Sequence, residues 1–339
     1  MPPASVTAAK EAKLRYVHDE EPGITRRRSG KGFSYRDRDG KPVTGPETLE
    51  RIRHLAIPPA WTDVWISPHA HGHIQATGRD AKGRKQYRYH DRWSAHRAQA
   101  KYARVSEFAT ALPRIRERVE QDLGARGPTR EKILATVVRL LELTLIRIGN
   151  KEYVRQNRSY GLTTLNKRHI DVDGSALVFH FKGKSGVVHQ TSLRDRRLAA
   201  ILKRLHELPG QQLFKYVGPD GELTPVESAD VNAYIREVAG EDFSAKDFRT
   251  WAGTVSAARA LRQEPPPQSR SEAKRAVTRC VRAVSGLLGN TPTVCRAHYV
   301  HPAVFEAYAA GTLAEALPSP DAGEFETALI RLLESHTVA

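Results

Sequence analysis

The sequence contains few cysteines and no long apolar segment. Cys280 and Cys295 are its only cysteines, too few for the disulfide framework of a small secreted domain, and no Cys/His spacing is typical of zinc binding. No segment approaches the ~20 apolar residues of a membrane-spanning helix, and residues 1–10 lack the apolar core of a signal peptide. We therefore expect a protein of the reducing cytoplasm, without a membrane partner, in which both cysteines are small buried side chains.

Acidic residues are few relative to basic ones. Lysine and arginine together number 54 and aspartate and glutamate 38, so the 339 residues carry a formal net charge of +16. This excess favours a polyanionic partner, with nucleic acid ahead of a membrane surface. The alternative explanation is a generally basic, solvated surface. The length suits about two domains of roughly 150 residues each.

Residues 1–97 predict a small β-rich domain. Glycine, proline and Asp-Gly pairs separate short segments of strand-like composition, and one helical segment, residues 46–54, ends before Pro58 and Pro59, which disfavour a helix. The predicted strands cover residues 24–29, 33–36, 65–67, 72–77 and 85–89.

Residues 98–339 predict a mainly helical domain that contains a three-stranded antiparallel sheet. A helix opened by Pro128 and Thr129 carries a wide apolar stripe. It is expected to end at Gly149 and Asn150, which would place Arg147 in its last turn. Alternating apolar residues predict strands at 170–172, 177–181 and 187–191, with Lys182 to Gly186 as an exposed tip between the last two. Further helices are predicted over residues 193–206, 228–239 and 245–261.

Two helix-start signals follow a proline-rich connector at residues 263–268. Ser269 and Glu272 have the spacing of a capping box, and the helix that they open is expected to stop at Gly289. Thr291 and Pro292 suit the N-cap and the first position of the next helix. Tyr299 lies about two turns into that helix. The predicted fold class is α+β.

Five residues of the helical domain combine into a chemistry that breaks a nucleic-acid strand. They are Arg147, Lys184, Arg249, Asn290 and Tyr299. A tyrosine hydroxyl can attack a phosphodiester and hold the strand end covalently. Guanidinium and amide donors stabilise the negative phosphorane without a metal, and a lysine on a mobile hairpin tip can protonate the leaving 5′-oxygen.

Each of these residues also has a plain structural explanation. A cation such as Arg147 near a helix end complements the helix dipole, and Arg249 could form a salt bridge on a helix. Lys184 suits a solvated turn, Asn290 suits a turn after Gly289, and a helical tyrosine is usually a packing residue. The order and local contexts of all five together favour the catalytic interpretation.

The local contexts resemble the catalytic set of the type IB DNA topoisomerases, most closely the compact, poxvirus-like bacterial members. They read Arg-Ile-Gly-Asn-Lys-Glu-Tyr at 147–153, Phe-Lys-Gly-Lys at 181–184 and Lys-Asp-Phe-Arg-Thr-Trp at 246–251. The resemblance covers roughly residues 15–310. It implies that Tyr299 forms a 3′-phosphotyrosyl link, that Arg147 and Arg249 bind the non-bridging oxygens and that Lys184 is the general acid. Lys246 is a second candidate for the proton relay.

One catalytic position departs from the family pattern. Poxviral enzymes and tyrosine recombinases usually carry a histidine where this chain has Asn290. The asparagine leaves a neutral hydrogen-bond donor to a phosphate oxygen, which argues against an acid–base role at this position.

A strand of the small domain alternates cations, an amide and aromatic residues. Residues 84–89 read Arg-Lys-Gln-Tyr-Arg-Tyr, which an edge strand with a polar face would explain by itself. Similarity to the Gln-Tyr-x-Tyr strand of the family implies contacts with the DNA major groove. The implied DNA-binding residues are Arg84, Lys85, Gln86, Tyr87, Tyr89 and, as a phosphate contact, Tyr153. The resemblance further implies that the two domains form a clamp around duplex DNA.

No cofactor or metal is expected. Gly183-Lys184-Ser185 could end an ATP-binding loop, but Val178 stands where such a loop requires its first glycine. The histidines at 69, 71 and 73 alternate, yet Pro68 and Gly72 break the strand and no carboxylate or cysteine accompanies them.

The predicted function is relaxation of supercoiled duplex DNA through transient cleavage and religation of one strand. We expect a monomer that acts in the cytoplasm at the nucleoid. A tyrosine recombinase would share the chemistry, although it usually has His-x-x-Arg where this chain has Lys246-x-x-Arg249 and carries a helical N-terminal domain. A non-enzymatic basic DNA-binding protein would require the five-residue arrangement to be a coincidence.

Overall fold

The computed structural model describes residues 4–337, apart from the side chains of residues 98, 99, 101, 185 and 337. The chain divides into two compact units, Met1–Lys101 and Tyr102–Ala339. Both units contain helices and antiparallel sheets, so the predicted α+β class is confirmed. Within residues 4–337, no helix is both long enough and apolar enough to cross a membrane.

The N-terminal unit is built on one antiparallel sheet. Its strands are β1 (Ile24–Ser29), β2 (Gly32–Arg36), β3 (Thr62–Ile66), β4 (Ile74–Arg79) and β5 (Lys85–Tyr89), and its helices include α1 (Ala4–Glu11) and α2 (Pro46–His54). The strand order is β2-β1-β3-β4-β5. Ile52 of α2 joins Ile24, Val64, Ile66 and Ala76 of the sheet in one apolar core.

Strands β1 and β5 and helix α2 have the predicted bounds, and β2 begins one residue earlier than predicted. Strands β3 and β4 differ more. The sequence predicts them at 65–67 and 72–77, whereas they lie at Thr62–Ile66 and Ile74–Arg79. The register between β3 and β4 shifts after Thr62, where Asp63 has a left-handed φ of 48°. Such an irregularity interrupts the alternation of inward and outward residues from which strands are predicted.

The C-terminal unit is mainly helical, as predicted. Its helices are α3 (Asp91–Leu123), which also contributes residues to the first unit, α4 (Arg130–Thr144), α5 (Lys151–Asn157), α6 (Arg196–Glu207), α7 (Ser228–Ala239), α8 (Ala245–Gln263), α9 (Arg270–Leu288), α10 (Pro292–His298), α11 (Pro302–Ala309), α12 (Leu313–Ala316) and α13 (Phe325–Thr337). The predicted three-stranded antiparallel sheet is present as β6 (Ile170–Asp173), β7 (Ala176–Lys182) and β8 (Val188–Arg194), and β9 (Lys215–Val217) pairs with β10 (Leu223–Pro225).

Predicted residues cap the helices α4, α9 and α10, which lead to or flank the site residues. The side chains of Thr129, Ser269 and Thr291 each accept a backbone N–H in the first turn of α4, α9 and α10. Helix α9 ends at Gly289, whose φ of 58° is readily adopted by glycine. Both cysteines are buried, which confirms the prediction.

Helix α4 ends earlier than predicted, and this changes the position of Arg147. The helix stops at Thr144, and Leu145 caps it with a left-handed φ of 55°. The predicted stop at Gly149–Asn150 and the placement of Arg147 in the last helical turn are therefore wrong. Thr144 Oγ1 accepts the N–H of Ile146 (3.3 Å) and so supplies a local partner just beyond the helix end.

The segment 145–150 is instead held against residues 161–163. The N–H groups of Leu162 and Thr163 donate to the carbonyls of Arg147 (2.9 Å) and Ile148 (2.7 Å). A Cβ on Gly161 would lie 2.5 Å from the Arg147 carbonyl oxygen, so only glycine permits this approach. The backbone of Arg147 is thus positioned by a neighbouring main chain.

Helix α5 is one of several elements that the sequence patterns do not predict. None of its residues is buried, so it lacks the apolar periodicity from which helices are recognised. Asn150 begins the helix, because its side-chain oxygen accepts the N–H of Glu152 (2.7 Å).

Candidate active site

Arg249 is buried on α8 and bound by the ends of two other helices. Its guanidinium donates to the carbonyl of Leu145, which caps α4, and to the carbonyl of Leu288 at the end of α9 (2.6 Å). Carbonyls at a helix C-terminus lack partners within their own helix. Burial, followed by the charge of Arg147, lowers the pKa of Arg249 to about 10, so the side chain is still cationic at neutral pH.

Arg147 reaches the same end of α9 from the segment 145–150. Its Nη2 donates to the carbonyl of Gly289 (3.1 Å) and to the side-chain oxygen of Asn290. Asn290 is itself held by its N–H, which donates to the carbonyl of Ser285 (3.0 Å). Because the Asn290 oxygen accepts from Arg147, the amide NH2 group is the part of this side chain left to bind another molecule.

Tyr299 is half-buried and lies at the end of α10. Its N–H donates to the carbonyl of Cys295 (2.9 Å), which completes the last turn of the helix. The Arg249 Cζ atom lies 5.4 Å from the centroid of the tyrosine ring. A Cβ on Gly253 would lie 2.4 Å from the Tyr299 carbonyl oxygen, so α8 packs directly on the backbone of this residue.

Three buried donors around Tyr299 have no hydrogen-bond partner of ordinary geometry within residues 4–337, and the Arg249 guanidinium also interacts with the Tyr299 hydroxyl. These are Nη1 of Arg147, Nε of Arg249 and Nδ2 of Asn290. A buried donor without an acceptor costs about 1–3 kcal/mol, so three in one cluster indicate a ligand with acceptor oxygens. Two cationic donors and one amide donor suit the two non-bridging oxygens of a phosphodiester.

Lys184 lies on the hairpin between β7 and β8. It begins the turn Lys184–Gly186 between β7 and β8 and is exposed, with its Nζ 5.6 Å from the centroid of the Tyr153 ring. No hydrogen bond among the described side chains joins it to the tyrosine or to either arginine. Lys246 is exposed in the first turn of α8. The roles of both lysines in proton transfer remain predictions.

Strand β5 lies at an edge of the N-terminal sheet and exposes two stacked tyrosines. Tyr87 and Tyr89 are 41% and 43% exposed. Their ring centroids are 5.7 Å apart and their planes differ by 6°. The pair therefore presents a continuous aromatic surface on one face of the strand.

The cations beside this pair are already engaged by carboxylates. Arg84 forms an ion pair with Asp80 (2.7 Å) and Lys85 with Asp19 (2.6 Å), while Gln86 donates to Asp80 (3.0 Å). The hydrogen bond from Arg84 is the largest cause of the low pKa of Asp80, which is about 2. Contacts with DNA would compete with these carboxylates for the same three side chains.

Comparison with known proteins identifies the family. Residues 85–315 match the family described as eukaryotic DNA topoisomerase I, catalytic core, and residues 32–80 match the bacterial DNA topoisomerase IB N-terminal domain. The DNA topoisomerase 1B of Acanthamoeba polyphaga mimivirus is 31% identical to this chain over 293 residues, which are 84% of the chain and 87% of the viral protein. The chain belongs to the type IB DNA topoisomerases.

Two further viral topoisomerases are more distant relatives of the chain. The DNA topoisomerase 1B of vaccinia virus (strain Copenhagen) is 22% identical over 265 residues, 76% of this chain and 81% of the viral protein. The DNA topoisomerase 1 of Rabbit fibroma virus (strain Kasza) is 22% identical over 292 residues, 81% of this chain and 89% of the viral protein. Membership of the type IB family confirms the resemblance and decides against a tyrosine recombinase and against a non-enzymatic DNA-binding protein.

Two residues beside this topoisomerase site are missing from the set predicted by sequence. Gly253 follows Arg249 by one helical turn, and a glycine inside a helical pattern is a signal of close packing that could have drawn attention to it. His189 lies on β8 next to the turn that carries Lys184. His189 has no comparable signal in the sequence, because a half-buried polar residue is common in a strand.

Proposed function

We propose that this type IB topoisomerase relaxes supercoiled duplex DNA with Tyr299 as its nucleophile. The observation that carries the proposal is the cluster of Arg147, Arg249 and Asn290 around this tyrosine, with one unpartnered buried donor on each of the three side chains among the described residues. A scissile phosphodiester supplies acceptor oxygens for these donors and an electrophilic phosphorus for the hydroxyl.

In the cleavage step, the Tyr299 hydroxyl attacks the phosphorus. A bond forms between the tyrosine oxygen and phosphorus as the tyrosine loses its proton, and the bond to the 5′-oxygen breaks as that oxygen gains a proton. The strand retains a 3′-phosphotyrosyl link, and no net proton is consumed. One phosphodiester replaces another, so the 5′-hydroxyl can reverse the step without ATP. While the strand is open, its free end rotates and torsional strain in the DNA is released.

Arg147 and Arg249 stabilise the phosphorane that forms during this exchange. Carbonyls at the ends of α4 and α9 hold both guanidinium groups before any substrate binds. Donors held in this way need little reorganisation when negative charge develops. Asn290 adds a neutral N–H donor whose orientation depends on Arg147.

Lys184 protonates the leaving 5′-oxygen in this mechanism. In the structure its amine lies over the ring of Tyr153, so the lysine side chain must swing to the leaving oxygen when DNA binds. Gly186, which ends the turn after the lysine, has a φ of 79° and gives the backbone there a freedom that suits such a movement. Lys246 is the alternative donor.

The remaining proposals concern the binding of DNA. Tyr87 and Tyr89 contact the duplex through their exposed stacked rings, and Tyr153 contacts a phosphate near the hairpin tip. The net charge of +16 draws the duplex to the protein. We expect a monomer that relaxes DNA at the nucleoid, in the cytoplasm. Closure of the two units around the duplex, which the resemblance implies, stays a prediction.

Trapping of the covalent adduct tests the nucleophile. Tyr299→Phe removes only the hydroxyl, so it should bind supercoiled plasmid normally but yield no protein–DNA adduct when the reaction is quenched, in EDTA and without ATP. Tyr308→Phe is the matched control: Tyr308 is buried and its hydroxyl donates to the Pro265 carbonyl (3.0 Å), so its loss should leave adduct formation intact.

Mass mapping of the trapped wild-type protein should place the DNA on the peptide that contains Tyr299. An adduct at wild-type yield from Tyr299→Phe would show that another tyrosine is the nucleophile.

A further inference from the structure

His189 lies between two glycines that flank the site residues. It pairs with Phe181 across β7 and β8, and the two rings stack with centroids 5.2 Å apart. A Cβ on Gly183 would lie 2.4 Å from His189 Cδ2, and a Cβ on Gly289 would lie 2.8 Å from His189 Cε1. The imidazole therefore touches main chain on two sides, just before Lys184 on one side and just before the Asn290 turn on the other.

The same ring lies within the electrostatic field of both arginines. Burial, followed by the charges of Arg147 and Arg249, lowers the pKa of His189. The lowered pKa favours the uncharged imidazole. A neutral, flat ring can fill the space between two backbones without adding a charge to a site that binds phosphate.

We propose that His189 is a positioning residue that docks the hairpin tip carrying Lys184 against the turn between α9 and α10 that carries Asn290. The proposal rests on the function proposed above, in which Lys184 is the general acid. The imidazole sets the spacing between the acid and the phosphate-binding donors, because neither Gly183 nor Gly289 has a side chain to do so.

The backbone hydrogen bonds of the hairpin tip do not join it to the end of α9, so the contact with the His189 ring is what connects the two. Gly183 donates to the carbonyl of Val187 (2.7 Å) and Gly186 donates to the carbonyl of Gly183 (3.1 Å), so both bonds stay within the turn. The N–H of Tyr160 donates to the carbonyl of Lys182 (2.8 Å) and anchors the strand before the tip. The contact between His189 and Gly289 joins the hairpin to the end of α9.

The test compares single-turnover cleavage of two DNA substrates. One has an ordinary phosphodiester, and the other has a 5′-bridging sulfur, which leaves as a thiolate and needs no proton. His189→Ala should slow cleavage of the ordinary substrate about 10–100-fold, because misplacing a catalytic group by about 1 Å can cost ~10²-fold. It should cleave the sulfur substrate at close to the wild-type rate. Equal slowing on both substrates, or wild-type rates on both, would overturn the proposal.

Two further variants separate the shape of the ring from its nitrogens. His189→Phe keeps a flat ring against Phe181 and should retain most of the activity; a loss as large as that of His189→Ala would overturn a positioning role.

Gly183 has a φ of −93°, so Gly183→Ala adds no backbone strain and should reproduce the defect only by displacing the ring. The double variant Gly183→Ala/His189→Ala should be no slower than His189→Ala, because the methyl enters the space left by the ring. Additive losses would contradict the proposal.

Failure of this proposal is distinguishable from failure of the proposed function. If the wild-type protein forms no adduct at Tyr299, the proposed function is wrong whatever the His189 variants do. If the adduct forms but the sulfur substrate does not rescue Lys184→Ala, the acid assignment fails, and the proposed role of His189 fails with it.

Discussion

Gly253 on α8 determines how closely this helix approaches the proposed nucleophile, so one added methyl group there should slow DNA cleavage. A Cβ at this position would lie 2.4 Å from the Tyr299 carbonyl oxygen and 3.2 Å from Leu288 Cδ1. Ordinary contact begins at 3.4 Å, so helix and tyrosine backbone must separate by about 1 Å (3.4 − 2.4) in Gly253→Ala. The atom in the way belongs to the backbone, which cannot rotate aside.

This separation acts directly on the catalytic geometry. Arg249 lies one turn before Gly253 on the same helix, so the displacement changes the distance from the Tyr299 hydroxyl to a phosphate bound by the arginine. We expect cleavage to slow about 10–100-fold, since an error of about 1 Å can cost ~10²-fold. Overpacking should also lower the free energy of unfolding by about 1–3 kcal/mol.

Single-turnover cleavage, DNA binding and thermal unfolding together measure the effect. Gly286→Ala is the matched control, because Gly286 lies exposed on α9 and a Cβ there would have no heavy atom within 4 Å. The control should cleave DNA normally and gain about 0.4–1 kcal/mol of stability. The reasoning is refuted if Gly253→Ala binds and cleaves DNA at the same rate as Gly286→Ala.

Three further predictions concern the acid, the DNA contacts and the buried histidines. Lys184→Ala should slow cleavage of an ordinary phosphodiester by about 10²–10⁴-fold but cleave the 5′-bridging sulfur substrate at close to the wild-type rate; equal slowing on both would transfer the acid role to Lys246 or Arg147. Affinity for duplex DNA, measured by fluorescence anisotropy, should fall by about 10³–10⁵ between roughly 50 and 200 mM salt if a clamp contacts about six to ten phosphates, and a nearly flat dependence would contradict closure around the duplex. Burial is the largest cause that lowers the pKa of His73 and His169. As the pH falls, the unfolded chain therefore binds a proton at each histidine before the folded protein does. The free energy of unfolding should be highest above pH ~6.5 and decline as the pH falls below it. Thermal unfolding at pH 7.5 and pH 5 checks this, and no change in melting temperature over that interval would exclude it.

The organisation of the chain could be predicted where neighbouring residues decide the structure. Thr129, Ser269 and Thr291 cap helices through hydrogen bonds that span about one turn, so their signals are complete within a few residues. The turn at Asp173 and the alternation around it predicted the three-stranded sheet for the same reason.

The end of α4 could not be predicted because a distant residue stabilises it. Leu145 adopts a left-handed conformation that is unfavourable for a residue with a branched side chain. Its carbonyl is bound by Arg249, which lies on another helix. Local patterns favoured Gly149 as the stop, whereas this glycine is used for close contact with Gly161.

The sequence by itself determined which chemical groups are available: one tyrosine in a basic context, two arginines, an amide and a lysine between glycines, in the order of a known family. Only the tertiary structure decided which of them meet. Arg147 and Arg249 bind the ends of helices far away in the chain, and the Lys184 amine lies over the ring of Tyr153. The need for glycine at positions 183, 253 and 289 likewise depends on residues distant in the chain. It can be recognised only when the atom that occupies the space of the absent side chain is known.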